Sequence, residues 1–274
     1  MPDQRRTPIN TRIAAAHLKD APAGLDLVAG TAARIGVPVA DLLRAPDGAR
    51  DRQLLYGEPV TVYEDRNGWS FVQAAKDSYV GYVPGTALTA PFEATHWVSA
   101  PATHSYSADD FKSPETQALS HGSRVQVLGG TGRFLDTNLG FIPARHLSPL
   151  GAHAADPAAV AELFLGTPYL WGGNSRFGID CSGLVQAALL ACGLPCPGDS
   201  GMQEAELGEA AASKDYQRGD LLFWKGHVAL VRDSRTLIHA NAHDMAVAID
   251  PIEEAVERIQ AQGDGPVTAH KRLA

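Results

Sequence analysis

The chain has 274 residues, a length that predicts two or three domains at roughly 100–200 residues each. Hydrophobic residues make up 45%, and the 27 glycines and 18 prolines stay below the range of low-complexity sequence, which excludes a disordered chain. The formal net charge of -8 gives no overall field for nucleic acid or anionic lipid, and no run approaches the roughly 18 consecutive apolar residues of a membrane helix.

The N-terminus carries Arg5 and Arg6 but no apolar core after them, so it does not read as a secretion signal. Residues Ile13–Leu18 and Ala32–Leu43, separated by the breakers Pro22 and Gly24, predict short helices, and residues 1–45 are expected to be a helical N-terminal segment. From Gln53 the pattern changes to short β-type runs, Leu54–Tyr56, Val60–Tyr63, Trp69–Ala75 and Tyr79–Val83, with Asn67-Gly68 as a turn signal.

An internal repeat follows. Gly57-Glu58-Pro59-Val60-Thr61-Val62 recurs as Gly122-Ser123-Arg124-Val125-Gln126-Val127, and Gly81-Tyr82-Val83-Pro84 with Leu88 recurs as Gly140-Phe141-Ile142-Pro143 with Leu147. Val60/Val62 and Val125/Val127 supply the period-two signal of half-buried strands. Two tandem small β-barrels are implied, over residues 46–90 and 91–150, and they resemble bacterial SH3-like domains. Glu58 and Tyr79 of the first copy are Ser123 and Asn138 in the second, a difference that marks either a site only the first copy serves or ordinary drift of surface residues.

A linker, Gly151–Pro157, leads to a third domain, residues 156–274. Asp156-Pro157 starts a helix through Ala158–Leu165. Then come Pro168-Tyr169-Leu170-Trp171-Gly172-Gly173 and Asp180-Cys181-Ser182-Gly183-Leu184-Val185. The latter reads as a helix with apolar Leu184, Val185, Ala188, Leu189 and Cys192 on one side, Asp180 as N-cap and Gly193 beyond its end. Cys181 therefore sits at a helix N-terminus, where the dipole and the first N–H groups favour a thiolate and an oxyanion.

A nucleophilic cysteine needs a base and the base an orienting group. Gly219-Asp220-Leu221-Leu222-Phe223-Trp224 precedes Gly226-His227-Val228-Ala229-Leu230-Val231, and Thr236-Leu237-Ile238-His239-Ala240-Asn241 follows the turn Asp233-Ser234-Arg235. This predicts a β-hairpin with His227 and His239 on one face, His227 as base and His239 as its orienting partner, and Asn241 or His243 as weaker choices for the third member. Zinc is the competing use of Cys181, Cys192, Cys196 and the histidines, but neither a CxxC pair nor HExxH occurs, and no GxxxxGK[ST] loop is present. No cofactor is expected.

Together the Tyr-x-Trp-Gly-Gly stretch, Asp180-Cys181-Ser182-Gly183, the Gly-Asp-Leu-x-Phe-Trp run with Gly226-His227-Val228, and Ile238-His239-Ala240 resemble the NlpC/P60 family of cysteine peptidases. The resemblance implies an α+β fold, a papain-like catalytic domain preceded by two small SH3-like barrels and the helical segment. It further implies a γ-D-glutamyl-L-diamino acid endopeptidase that trims free peptidoglycan stem peptides after L-Ala-γ-D-Glu. On that resemblance Glu58, Tyr79, Asp180 and Ser182 would hold the free amine of L-Ala, Tyr169 would assist at the oxyanion, Trp171 would line the pocket, and Asp199 and Ser200 would contact substrate. The family usually carries Arg where Gly198 stands, so the preference among diamino acids is not carried over.

Three odd, sparsely placed cysteines and the missing signal segment suit the cytoplasm. A monomer acting on stem peptides, with neither nucleic acid nor membrane as partner, is the expected form. The competing readings are an acyltransferase on the same thiol scaffold and a wall-binding module or hydrolase that acts on intact peptidoglycan.

Overall fold

Along Val39–Leu43 half-buried and buried positions alternate, with Ala40 and Leu42 inside, which is the period of a strand rather than a helix. The computed structural model describes residues 3–130, 132–212 and 215–273. In it the expected helical N-terminal segment is corrected to strands. β1 (Ile13–Ala15) pairs in parallel with β2 (Asp26–Val28), while β3 (Thr31–Ile35) and β4 (Val39–Leu43) enter a seven-stranded sheet. Pro38 interrupts the supposed helix, and the helix preference of alanine, under about 1 kcal/mol per residue, yields to the burial of Ile35 and Leu42 between strand partners.

The chain divides into two units, one ending at Leu150 and one starting at Gly151. In the first, β5 (Arg50–Leu55), β6 (Pro59–Arg66), β7 (Trp69–Ala74), β8 (Val80–Pro84) and β9 (Leu88–Thr89) complete the sheet in the order β5-β4-β8-β7-β6-β3-β9. Asn67 and Gly68, both at positive φ, make the tight β6–β7 hairpin. Ile13, Ala15, Tyr63 and Phe71 form a core that ties the β1–β2 pair to this sheet.

The remainder of the first unit comprises β10 (His96–Val98), β11 (Ala102–Tyr106), β12 (Glu115–Ser120), β13 (Arg124–Val125), β14 (Val127–Gly129), β15 (Phe134–Thr137), β16 (Gly140–Pro143) and β17 (Leu147–Pro149). They form a three-stranded sheet, β13-β10-β17, and a five-stranded one, β12-β11-β16-β15-β14. Tyr56 enters their core beside Val98, Leu119, Val125 and Ile142, and its hydroxyl accepts a 2.9 Å hydrogen bond from Asn138 Nδ2. Asn138, the counterpart of Tyr79 in the repeat, is thus a packing residue. A Cβ on Gly57 would lie 2.0 Å from the Arg124 carbonyl oxygen, so the two halves of the unit meet there through backbone.

In the second unit Asp156 caps α1 (Pro157–Glu162), which ends three residues before the expected Leu165. After the hairpin β18 (Asn174–Ser175) and β19 (Gly178–Ile179) come α2 (Cys181–Ala191) and α3 (Ser200–Glu206). β20 (Glu209–Ala210), β21 (Leu221–Trp224), β22 (His227–Val231), β23 (Thr236–Asn241), β24 (Ala246–Pro251), α4 (Ile252–Ile259) and β25 (Ala269–Arg272) follow. The sheet runs β20-β25-β21-β22-β23-β24. One face, Leu222, Trp224, Ala229, Val231 and Leu237, packs on Ile252, Ala255 and Ile259 of α4. The alternate residues Leu221, Phe223, Val228, Leu230 and Ile238 are also fully buried, and α2 packs on β22 and β23. Asp220 of the Gly-Asp-Leu run is buried and bonds to His270 and Arg272, clamping the start of β21 to β25.

Candidate active site

Asp180 builds the start of α2. Its Oδ1 accepts from Gly183 N at 2.6 Å and from Ser182 Oγ at 3.1 Å, and its Oδ2 accepts from Gly172 N at 3.0 Å. One carboxylate therefore caps the helix and pins the Trp171-Gly172 loop to it. Gly193, at φ +76°, ends α2 as expected. Cys181 is the first helical residue, 6% exposed, at the positive end of the dipole.

The glycines of the two motifs have steric reasons. A Cβ on Gly183 would lie 2.4 Å from the Gly173 carbonyl oxygen, and a Cβ on Gly173 would lie 2.5 Å from that of Gly178. Behind them, Gln203 Nε2 donates to the carbonyls of Ser182 and Pro197, each at 2.9 Å, and Asn174 Nδ2 donates to Gln186 Oε1 at 3.0 Å. Gln203 thus fixes the backbone just after the thiol, and the Asn174–Gln186 pair ties β18 to α2.

Leu230 pairs with Ile238 and Val231 with Leu237, so alternation sets His227 and His239 on one face of the sheet. The rings meet, with His227 Nε2 at 2.8 Å from His239 Nδ1. Gly226, at φ +80° in the β21–β22 turn, presents its carbonyl oxygen 4.0 Å from Cys181 Sγ, which places the thiol beside the residue that precedes His227. Burial, then the neighbouring His239 and Arg258, pull His227 down to about 3, so its ring is neutral and able to take a proton.

Tyr169 is held by its own backbone, which bonds to Met245 O at 2.8 Å and bridges to Ile179. Burial and the charges of Cys181 and Asp180 push its phenol above the ordinary range, so the hydroxyl remains a donor. Tyr169, Trp171, Gly226, His227, His239 and His243 line a cleft of about 300 Å³. Trp171 is 66% exposed at its rim.

Other expected residues lie elsewhere or have other partners. Asn241 exchanges hydrogen bonds with Asp244 in the β23–β24 turn and lines the same cleft as the two rings. Asp199 takes the N-cap position of α3 and Ser200 is its first residue. In the first unit, Glu58 precedes β6 and Tyr79 follows the β7–β8 turn; these two segments adjoin, since Ala75 N donates to Pro59 O at 3.1 Å. Glu58 Oε1 lies 2.9 Å from Lys76 Nζ in a pair whose side chains are 10% and 7% exposed. Among the described residues Glu58 Oε2 is buried with no hydrogen-bond partner. Sequence reading missed Asp250 and Arg258, which continue the polar chain beyond His239. The alternation of Ala246–Asp250 carried a signal, but only the β23–β24 register brings Asp250 to His239.

The sequence matches the Bacterial dipeptidyl-peptidase Sh3 domain over residues 42–88 and the NlpC/P60 family over residues 166–260. The chain is 30% identical over 234 residues to gamma-D-glutamyl-L-lysine dipeptidyl-peptidase of Bacillus subtilis, covering 77% of this chain and 78% of that protein. It is 29% identical over 228 residues to dipeptidyl-peptidase 6 of Lysinibacillus sphaericus, covering 74% and 84%. An NlpC/P60 family protein of Bacillus cereus has the same fold, with a TM-score of 0.75 at 23% identity over 89% of this chain and 99% of that one. With the cysteine at the helix N-terminus and the paired histidines in place, the chain belongs to the NlpC/P60 family of cysteine peptidases and carries an SH3-like domain ahead of its peptidase domain.

Proposed function

We propose that the protein is a γ-D-glutamyl-L-diamino acid endopeptidase acting on free peptidoglycan stem peptides, cutting after L-Ala-γ-D-Glu and releasing that dipeptide for recycling. The observation that carries the reading is the 2.8 Å His227–His239 contact beside a cysteine on a helix N-terminus. The gamma-D-glutamyl-L-lysine dipeptidyl-peptidase of Bacillus subtilis supports the class of bond. We read β10–β17 as a second SH3-like copy on the strength of the internal repeat, and the protein as a cytoplasmic monomer.

In this reading His227 takes the Cys181 proton, and the thiolate attacks the γ-carbonyl carbon of D-Glu. The N-terminus of α2 and the Tyr169 hydroxyl stabilise the oxyanion, a donor of this kind being worth roughly 10²–10³ in rate. Collapse expels the amine of the diamino acid, which receives its proton from His227. Water, deprotonated by the same ring, then cleaves the thioester and returns the thiol and the γ-carboxylate.

Glu58 and Tyr79 recognise the free amine. Glu58 carries a buried carboxylate oxygen suited to an ammonium, and loss of such a charged partner typically costs a few kcal/mol, so an N-blocked peptide is rejected. Asp180 and Ser182, which also hold the helix start, contact the same amine in this reading.

Mass spectrometry of L-Ala-γ-D-Glu-diaminopimelate and its lysine analogue, beside N-acetylated copies and intact polymer, tests the proposal. Release of L-Ala-D-Glu from free peptides alone, lost with Cys181→Ala and weakened with Glu58→Ala, is expected. Cleavage of the blocked peptide or polymer overturns amine recognition, and full activity of Cys181→Ala overturns the nucleophile. Product that forms only with an added amine acceptor would make the protein an acyltransferase.

A further inference from the structure

The polar chain does not end at His239. His239 Nε2 lies 3.0 Å from Asp250 Oδ2, and the same oxygen accepts from Arg258 Nη2 on α4. The His239 side chain is fully buried, while those of Asp250 and Arg258 are 15% and 22% exposed. The hydrogen bond from His239 first, and that from Arg258 next, hold the Asp250 carboxyl well below the usual carboxylate range.

An ionised carboxylate only accepts, so His239 must carry its proton on Nε2. In the neutral form of the His239 ring, Nδ1 is then a bare lone pair. The 2.8 Å contact to His227 is a hydrogen bond only if His227 donates from Nε2, which leaves Nδ1 of the neutral His227 ring as the nitrogen free to receive a proton. One carboxylate thus decides the tautomers of two rings. Besides Cys181 on α2, Asp250 on β24 and Arg258 on α4, the charged or titratable groups facing the rings across the cleft are Tyr169, Lys225, His243 and Asp264. Among the described residues none of those four hydrogen-bonds to either ring.

We propose that Asp250, held by Arg258, is a positioning residue of the peptidase reaction, fixing the tautomers of His239 and His227 and stabilising the positive charge His227 gains when Cys181 ionises. The proposal rests on the reading of Cys181 as nucleophile and His227 as base. It touches no substrate atom, and its effect is transmitted through His239.

The test reads three quantities. Asp250→Asn should lower kcat about 10- to 100-fold, the scale at which a removed partner of a functional histidine acts, with KM nearly unchanged. The rate of Cys181 alkylation by iodoacetamide against pH needs no substrate; in Asp250→Asn its acid limb should move upward by about one unit, as loss of one nearby charge does. Asp250→Glu should restore part of both. In the wild type, ring-nitrogen shifts of isotope-labelled histidine should show His239 protonated at Nε2, a measurement that holds even if the variants fail to fold. A folded Asp250→Asn with the wild-type kcat and alkylation profile, or a His239 ring protonated at Nδ1, overturns the proposal. Activity retained by Cys181→Ala would instead overturn the nucleophile reading, and the tautomer result would stand apart from it.

Discussion

Gly183 of α2 rests on the carbonyl of Gly173 so closely that a Cβ on Gly183 would come within 2.4 Å of that oxygen. The obstacle is backbone, and Gly173 is itself packed against the Gly178 carbonyl, so neither neighbour can swing aside. This contact joins the loop carrying Trp171 to the helix turn carrying Cys181.

Gly183→Ala should therefore displace the first turn of α2. Overpacking of this kind costs about 1–3 kcal/mol, and the peptidase rate should fall at least tenfold because the thiol moves with the turn. Thermal unfolding and kcat measured on one preparation check both effects. A variant with wild-type stability and rate would show that the turn relaxes without moving Cys181.

The residues that local rules govern were the legible ones. Asp180 as cap and Gly193 as stop bracket α2 within the sequence itself, and period-two alternation with short turns put His227 and His239 on one face. The Ala32–Leu43 segment misled because strand pairing decides it, Ala32 against the distant Thr61 and Val39 against Leu55 of the next strand. Asp250 stayed hidden for a related reason: its pairing with Leu237 depends on the length of the Ala242–Met245 turn, where Met245 takes a positive φ that no propensity suggests. Lys76, likewise, looks like a surface lysine in sequence and is a buried ion-pair partner in the fold.

Lys76→Met should expose the cost of that pair. Removing one partner leaves the Glu58 carboxylate buried beside an apolar chain, a change that costs about 3–5 kcal/mol, while replacing both partners is far milder. Denaturant unfolding of Lys76→Met, Glu58→Gln and the double variant forms the cycle. The double variant should recover most of the loss, and a single variant costing under about 1 kcal/mol would mean that solvent reaches the pair.

Acid should weaken the peptidase unit from near neutrality downward. An unfolded histidine takes its proton near 6.5, whereas His227 in the fold takes it only at about 3, so the unfolded chain binds more protons across that interval and stability falls as pH falls through it. Each unit of pH contributes at most about 1.4 kcal/mol from this ring. Asp250 adds to the loss only below about pH 4, where the unfolded carboxyl begins to protonate. Calorimetry at several values between pH 7 and 4 should give a shallower decline for His227→Asn than for the wild type, and equal slopes would remove His227 as the source.

Tyr169→Phe separates the oxyanion from the nucleophile. The phenol is kept protonated by burial and by the charges of Cys181 and Asp180, so the hydroxyl is available as a donor throughout the working pH range. Its loss should lower kcat about a hundredfold, the effect of removing one oxyanion donor. Alkylation of Cys181 by iodoacetamide forms no tetrahedral oxyanion, so its rate and pH profile should be those of the wild type. If both readouts fall together, Tyr169 acts on the thiol itself; if neither falls, the N-terminus of α2 carries the oxyanion alone.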